Sequence, residues 1–311
     1  MLDQFNHPYI LLFLSMAFGA MNSCSSKYYS QRFTNNAADS AFYTLITSLV
    51  TSTLLLLFIL IEGFKGISPF TLILAIAFGI VTSLRSTLYI KTLSIGPLAF
   101  TSIINSSCSI IPACYGLFLG QMITIWQLIG IAFMIASLFF IVEKDGEERK
   151  TSLKWLFFTL LCFFMGGLIG ILQSTHQTST FRFQINEFLL ITFLMAVVVS
   201  IVDLFRLKCK GIQKTKDHAG DHRYWFVLLL GGISCAFINI VNLYLSGIFP
   251  NAFFFPVING GTLVVTVVAS LTFFHEKMTP RRWVGMALGT VSLLFLMGIV
   301  QAILSALGLN V

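Results

Sequence analysis

Long apolar runs, separated by short polar or charged segments, occupy most of this chain. Ten of them approach or reach the roughly 20 residues that a helix needs to cross the hydrocarbon core of a bilayer. These spans lie at 8–28, 41–61, 70–92, 97–118, 124–142, 153–174, 186–205, 224–246, 250–274 and 279–304. The pattern predicts an all-α integral membrane protein with ten transmembrane helices and no separate soluble domain.

Proline positions agree with these boundaries. Five prolines lie at or just before span starts, where a missing backbone N–H costs nothing; they are Pro8, Pro69, Pro97, Pro250 and Pro280. Pro112 and Pro256 fall inside spans 4 and 9. Each interior proline is interpreted either as a packing kink or as a hinge beside a cavity.

The composition excludes a soluble protein. Apolar residues make up 57% of the 311 residues and charged residues 10%, with a mean hydropathy of +0.90. A soluble domain carries about 25% charged residues, so most of this surface must face lipid. The net charge of +7 is spread over short loops, which argues against nucleic acid as a partner.

The distribution of basic residues predicts the orientation in the membrane. Loops after spans 1, 3, 5, 7 and 9 carry sixteen basic residues: Lys27, Arg32, Lys91, Lys144, Arg149, Lys150, Lys154, Arg206, Lys208, Lys210, Lys214, Lys216, Arg223, Lys277, Arg281 and Arg282. The opposite side has only Lys65 and Arg182. By the positive-inside rule, the odd-numbered loops are cytoplasmic and both termini lie outside.

An internal repeat divides the chain into two halves, 1–146 and 147–311. The segment Gly116–Gly130 matches Leu271–Gly285, with threonine and glycine in register at one common offset. Each half holds five spans, and an odd number makes the second half enter the membrane from the opposite side. The sequence therefore predicts two inverted five-helix repeats, an architecture of many secondary transporters.

The end of each half carries a short motif. His275–Gly285 reads His-Glu-Lys-Met-Thr-Pro-Arg-Arg-Trp-Val-Gly, and the first copy has Gln121 at the position of the motif glutamate. With its proline-containing preceding helix, this pattern resembles the EamA domain of the drug/metabolite transporter superfamily. The resemblance implies an inverted-repeat carrier of metabolites or drugs, in which helices 1, 3, 4, 6, 8 and 9 surround a central cavity.

Polar side chains at helical spacing mark candidate cavity positions, because polar residues inside lipid tend to face a cavity or a partner helix. The substrate-binding candidates are Asn22, Arg85, Tyr89, Asn105, Ser109, Asn239, Asn242, Asn259 and Thr262. They lie in spans 1, 3, 4, 8 and 9, which are among the cavity helices that the resemblance implies. Helix–helix packing is the alternative use, above all for serine and threonine.

Arg85 is the most informative candidate. It lies six residues before Lys91, or ~9 Å deeper along a helix. Its side chain either snorkels to the cytoplasmic interface or provides a fixed cation that pairs with an anionic group of the substrate, such as a carboxylate.

Titratable groups leave the energy source open. No Asp or Glu lies deep in a span, since Glu62, Glu187, Asp203 and Glu276 are near span ends. His176, at the end of span 6, either titrates near neutral pH or is structural. Proton coupling, uniport and exchange all remain open.

No pattern in the spans indicates catalysis, a metal site or a cofactor, and the six cysteines form no CxxC pair. We therefore expect a non-enzymatic secondary transporter that moves a small solute by alternating access in a bacterial cytoplasmic membrane. A membrane sensor or receptor and an intramembrane enzyme without transport are the alternatives. The chain is expected to be a monomer; a homodimer through glycine pairs of GxxxG spacing, such as Gly166 and Gly170, stays open.

The orientation can be tested at the C-terminus. We expect a reporter that is active only in the cytoplasm to stay inactive when it is fused after Val311, because the charge distribution places this end outside. A fusion in the 143–154 loop is the matched control and should be active. The reverse result would contradict the predicted orientation.

Overall fold

A computed structural model describes residues 7–33, 37–95, 104–105, 107–122, 124–141, 153–207, 220–274 and 280–296. Its α-helices are α1 (Pro8–Phe33), α2 (Ala37–Glu62), α3 (Pro69–Ile95), α4 (Ile110–Phe118), α5 (Ile125–Ile141), α6 (Leu153–Thr178), α7 (Ile185–Arg206), α8 (His222–Leu245), α9 (Asn251–Phe274) and α10 (Pro280–Leu296). A short 3₁₀ helix, Ser107–Ser109, precedes α4.

Six helices are long and apolar enough to cross a membrane, namely α1, α2, α3, α6, α7 and α8. The apolar stretches in α4, α5, α9 and α10 are shorter, at 10–17 residues. Each predicted span overlaps one of these helices. The structure therefore has the helical, multi-pass architecture of a membrane protein, whereas crossing by the four shorter helices stays a prediction.

Span 4 is where the prediction and the structure differ most. Its first residues, 97–103, lie outside the described residues. Residues 104–105 are helical, a 3₁₀ turn follows at Ser107–Ser109, and α4 begins at Ile110, so Pro112 lies in the first turn of α4, where N–H groups have no helical acceptor. The irregularity expected at Pro112 occurs instead as a change of helix type just before it. Pro256 lies inside α9, as expected.

The chain forms two compact units. Unit 1 comprises the described residues of Met1–Ser83 and Thr175–Gly247, and unit 2 those of Leu84–Ser174 and Ile248–Val311. Each unit draws helices from both predicted halves, and α3 and α6 contribute to both units. The halves 1–146 and 147–311 are defined by sequence repetition rather than by contacts, so that division remains a prediction.

In unit 1, α1 packs along α8, and α2 packs against α7 and α8. Hydroxyl groups bond across these contacts: Ser25 Oγ donates to the carbonyl of Val227 (2.7 Å) and Thr51 Oγ1 to that of Gly232 (2.9 Å). Such bonds, with close backbone approach, hold helices together in lipid, where no hydrophobic effect operates between them.

In unit 2, α5 packs along α10, and α4 packs against α9. Small residues bring α6 close to α4: a Cβ added at Gly167 would lie 2.3 Å from Ile111 Cδ1, and one at Gly170 would lie 2.7 Å from Pro112 Cγ. One glycine of the Gly166 and Gly170 pair therefore serves packing within the chain, as the packing interpretation predicts.

The turn after α4 holds the start of α9. Gly120 adopts a φ of 76°, and the next residue, Gln121, accepts a hydrogen bond at Oε1 from the backbone N–H of Asn251 (2.8 Å). Asn251 is the first residue of α9, so this bond satisfies one of the N–H groups that a helix start leaves unpaired. The glutamine that departs from the EamA motif thus has a structural role.

We expect Gly167→Val to lower the free energy of unfolding by about 1–3 kcal/mol, because overpacking would push α6 away from α4. Leu168→Val, on the same helix but 40% exposed, is the matched control and should have little effect. Thermal or denaturant unfolding of the purified protein measures both. Equal stability of the two variants would contradict the close α4–α6 contact.

Gln121→Ala should cost about 1 kcal/mol, the usual cost of a lost helix cap. Gln121→Glu keeps the acceptor and adds a charge that a helix N-terminus favours, so it should be at least as stable as the unmodified protein. Met122→Ala, which changes a neighbouring side chain that is 89% exposed, controls for the turn. If Gln121→Ala and Met122→Ala have the same melting temperature, Gln121 does not cap α9.

Candidate functional site

The site that the structure builds around a predicted residue is centred on Arg85, in the part of α3 that belongs to unit 2. Its Nη2 donates a hydrogen bond to Asn105 Oδ1 (3.1 Å). Its Nε is buried and has no hydrogen-bond partner. A guanidinium has five N–H donors, so Arg85 retains donors for a further acceptor.

A glycine on α6 makes room for this guanidinium. A Cβ added at Gly166 would lie 3.1 Å from Arg85 Nε and 2.8 Å from Cys108 Sγ. The bare backbone therefore lets α3 and the segment before α4 approach α6 at the same point. Gly166, predicted only as a packing residue, is a positioning residue of this site.

The charge of Arg85 is not neutralised within the part of the chain that the structure describes. Arginine is always protonated in proteins, its partner Asn105 is a neutral amide, and neither ion pair among these residues involves it. A snorkelling side chain would carry its head into water, whereas Nε of Arg85 is enclosed by protein. The geometry therefore favours the fixed-cation interpretation over snorkelling.

Two further predicted residues line one recess in unit 2. Ser109, at the end of the 3₁₀ helix, and Asn259, on α9, face it together with Pro256 and Gly260. The recess has a volume of about 10 Å³, which is room for about one water molecule, and its wall is mostly apolar. Pro256 thus lies beside a recess, as the hinge interpretation requires. Asn259 is exposed.

The remaining candidates of unit 2 are less informative. Tyr89 follows Arg85 by one turn on α3 and is half-buried. Thr262 follows Asn259 by about one turn on α9 and is half-buried. Its carbonyl accepts a hydrogen bond from Thr266 Oγ1 (2.7 Å).

The other three candidates belong to unit 1 and have different surroundings. Asn242 accepts a hydrogen bond from Ser15 Oγ and so joins α8 to α1. Asn239 donates to the carbonyl of Cys235 in its own helix (2.8 Å). Asn22 is half-buried. Asn242 therefore serves helix packing, and the structure does not bring these three together with one another by direct hydrogen bonds.

Two titratable residues that sequence reasoning placed at span ends are in fact buried. Glu187 is 1% exposed and His176 is 0% exposed, both in unit 1. Both lie near helix ends, as predicted, but that position along the chain does not report their burial in the tertiary structure. The one available signal was the density of polar residues between 173 and 187. Glu276 lies outside the described residues.

Comparison with known proteins supports the fold. No protein-family model matches the chain, and no curated protein matches it. Twenty-nine solved chains match; one, recorded as "Crystal structure of protein", has a TM-score of 0.72 at 10% identity and covers 93% of this chain and 98% of that chain. At this identity the likeness establishes the fold alone.

Proposed function

We propose that this chain is a secondary transporter that moves a small solute with an anionic group, such as a carboxylate, across a bacterial cytoplasmic membrane. One observation carries the proposal: Arg85 holds an uncompensated, partly enclosed positive charge beside a neutral amide. A charge at membrane depth is costly and is expected where it serves a substrate or ion pathway. An anionic solute that receives the free N–H groups would offset this cost through charge-assisted hydrogen bonds.

Helix contacts support two inverted halves as the framework of this transporter. If the halves are related by a two-fold axis, corresponding helices that lie near the axis contact each other. The pairs α2–α7, α4–α9 and α5–α10 correspond in this way, and all three are in contact. In the two halves, α1 corresponds to α6 and α8 corresponds to α3. The α1–α8 contact therefore has a counterpart between α6 and α3, where Gly166 packs against Arg85. Alternating access would then arise from movement of such repeats.

The solute class can be tested with matched pairs of small carboxylates and their amides: acetate and acetamide, lactate and lactamide, benzoate and benzamide. We expect thermal stabilisation of the purified full-length protein by at least one carboxylate but not by its amide. Proteoliposomes should then take up that carboxylate. Stabilisation without flux would favour the sensor or receptor alternative, and stabilisation by amides alone would contradict an anion site.

Arg85→Gln should raise the carboxylate concentration needed for half-saturation roughly 10- to 100-fold. The reason is the loss of one or two charge-assisted hydrogen bonds, each of about 1.5–3 kcal/mol. Asn105→Asp should also abolish binding, because the new carboxylate would pair with Arg85 inside the protein, while the fold is retained. Arg182→Gln, which removes an exposed arginine, is the matched control. Flux in Arg85→Gln equal to that of the control would refute the role of Arg85.

A further inference from the structure

A belt of buried polar residues lies in unit 1, where the loop after α2 meets the start of α7. Gln184, just before α7, accepts hydrogen bonds at Oε1 from the backbone N–H of Ser68 (3.2 Å) and from Thr71 Oγ1 (2.6 Å). Asn186 donates to Glu62 Oε2 (3.1 Å). Most polar atoms of this belt are therefore satisfied, which makes its exceptions informative.

Glu187 is the first exception. Its Oε1 accepts a hydrogen bond from the backbone N–H of Lys65 (2.8 Å), whereas its Oε2 is buried and has no partner. A buried carboxylate oxygen that lacks a donor is strongly disfavoured. A proton on Oε2 would remove the charge and supply the missing hydrogen.

His176 is the second exception. Its Nδ1 lies 3.1 Å from Gln177 Nε2, and its ring lies 4.3 Å from that of Phe188, the residue next to Glu187. Because an amide nitrogen only donates, Nδ1 accepts and the hydrogen of the neutral ring is on Nε2. That Nε2 is buried without a partner. The belt thus contains one unpaired acceptor and one unpaired donor.

We propose that Glu187, with His176 as its positioning residue, is the proton-binding site through which this carrier uses a proton gradient. The proton comes from water at one face of the membrane and forms an O–H bond at Glu187 Oε2. The same bond breaks when the site opens to the other face, and the proton returns to water. Nε2–H of His176 hydrogen-bonds the water that enters the belt.

The charged groups around Glu187 are few. The end of α2 provides Glu62, and the following loop provides Lys65, whose Nζ lies 3.7 Å from Glu62 Oε2. The α6–α7 turn carries Arg182, which is exposed. Ser68, just before α3, and Thr71, in its first turn, add hydroxyl groups. Since Lys65 is already paired with Glu62, the proton remains the natural neutralising partner of Glu187.

This inference rests on the proposed function and names its coupling ion. One proton and one monoanionic solute carry no net charge together, so their movement should follow the pH gradient and ignore the membrane potential. For 1:1 coupling, steady-state accumulation should rise roughly tenfold per pH unit of gradient.

Infrared difference spectra of the full-length protein in lipid, taken between about pH 5 and about pH 8, test the site without any solute. We expect a band of a buried protonated carboxyl group at the acidic end. It should be absent in Glu187→Gln and present in Asp203→Asn, which changes the other acidic residue of α7. A band that survives in Glu187→Gln, or no band in the unmodified protein, would overturn the proposal.

Proteoliposomes with the carboxylate that stabilises the protein best in the matched-pair screen test the coupling. An inward proton gradient should drive accumulation in the unmodified protein and in Asp203→Asn, but not in Glu187→Gln. Accumulation that persists in Glu187→Gln, or that follows a sodium gradient, would sink the coupling proposal while transport stands. A Glu187 band without any flux would instead sink the transporter and leave the proton site standing.

A second pair of variants guards against misfolding of Glu187→Gln. Glu187→Asp keeps a carboxyl group but shortens its reach, so its infrared band should move to a different pH range. His176→Gln removes the imidazole and should shift the titration of the Glu187 band. If both variants leave the band where it is in the unmodified protein, Glu187 and His176 do not form the site.

Discussion

Every polar atom that a bilayer encloses must find its partner within the protein, because lipid tails offer none. In this chain, hydroxyl groups of α1, α2 and α10 bond to carbonyls of neighbouring helices, as Ser292 Oγ does to that of Gly130 (2.6 Å). Glycines let the backbones come close enough for such bonds. Gln121 Oε1 likewise accepts a hydrogen bond from the first backbone N–H of α9. The helix arrangement thus follows from hydrogen bonding and shape more than from hydrophobic burial, since both sides of most contacts are equally apolar.

Three buried atoms without a hydrogen-bond partner belong to titratable or charged side chains that the two proposals use. Arg85 Nε is an unpaired donor with a full charge, Glu187 Oε2 an unpaired acceptor, and His176 Nε2 an unpaired donor without charge. An unmade bond at a buried polar atom is costly, and the cost is offset where a transient partner supplies the bond. Both proposals assign a transient partner to an unpaired buried group: an anion to Arg85 in unit 2, and a proton to Glu187 in unit 1.

The positions of the helices could be predicted from the sequence because a run of about 20 apolar residues has one main use. The start of α4 could not, since the 3₁₀ turn before it leaves no mark in the apolar run, and the contacts of Ile111 and Pro112 with Gly167 and Gly170 come from a distant helix. The charge of Arg85 made it a candidate from the sequence alone. Its hydrogen bond to Asn105 and its packing against Gly166 depend on tertiary structure and could not be predicted. Glu187 lies near the end of its helix, as predicted, but its burial could not be predicted, because distance to a helix end along the chain does not report side-chain burial.

The packing of Arg85 against Gly166 limits which substitutions this protein can accept during evolution. An alanine at 166 would crowd both the guanidinium and Cys108, so a lineage that keeps the arginine can hardly drift at the glycine. Replacement of Arg85 by a shorter residue removes the crowding of the guanidinium, but Cys108 still limits position 166. A larger residue at 166 should therefore appear only in descendants that have changed both Arg85 and Cys108.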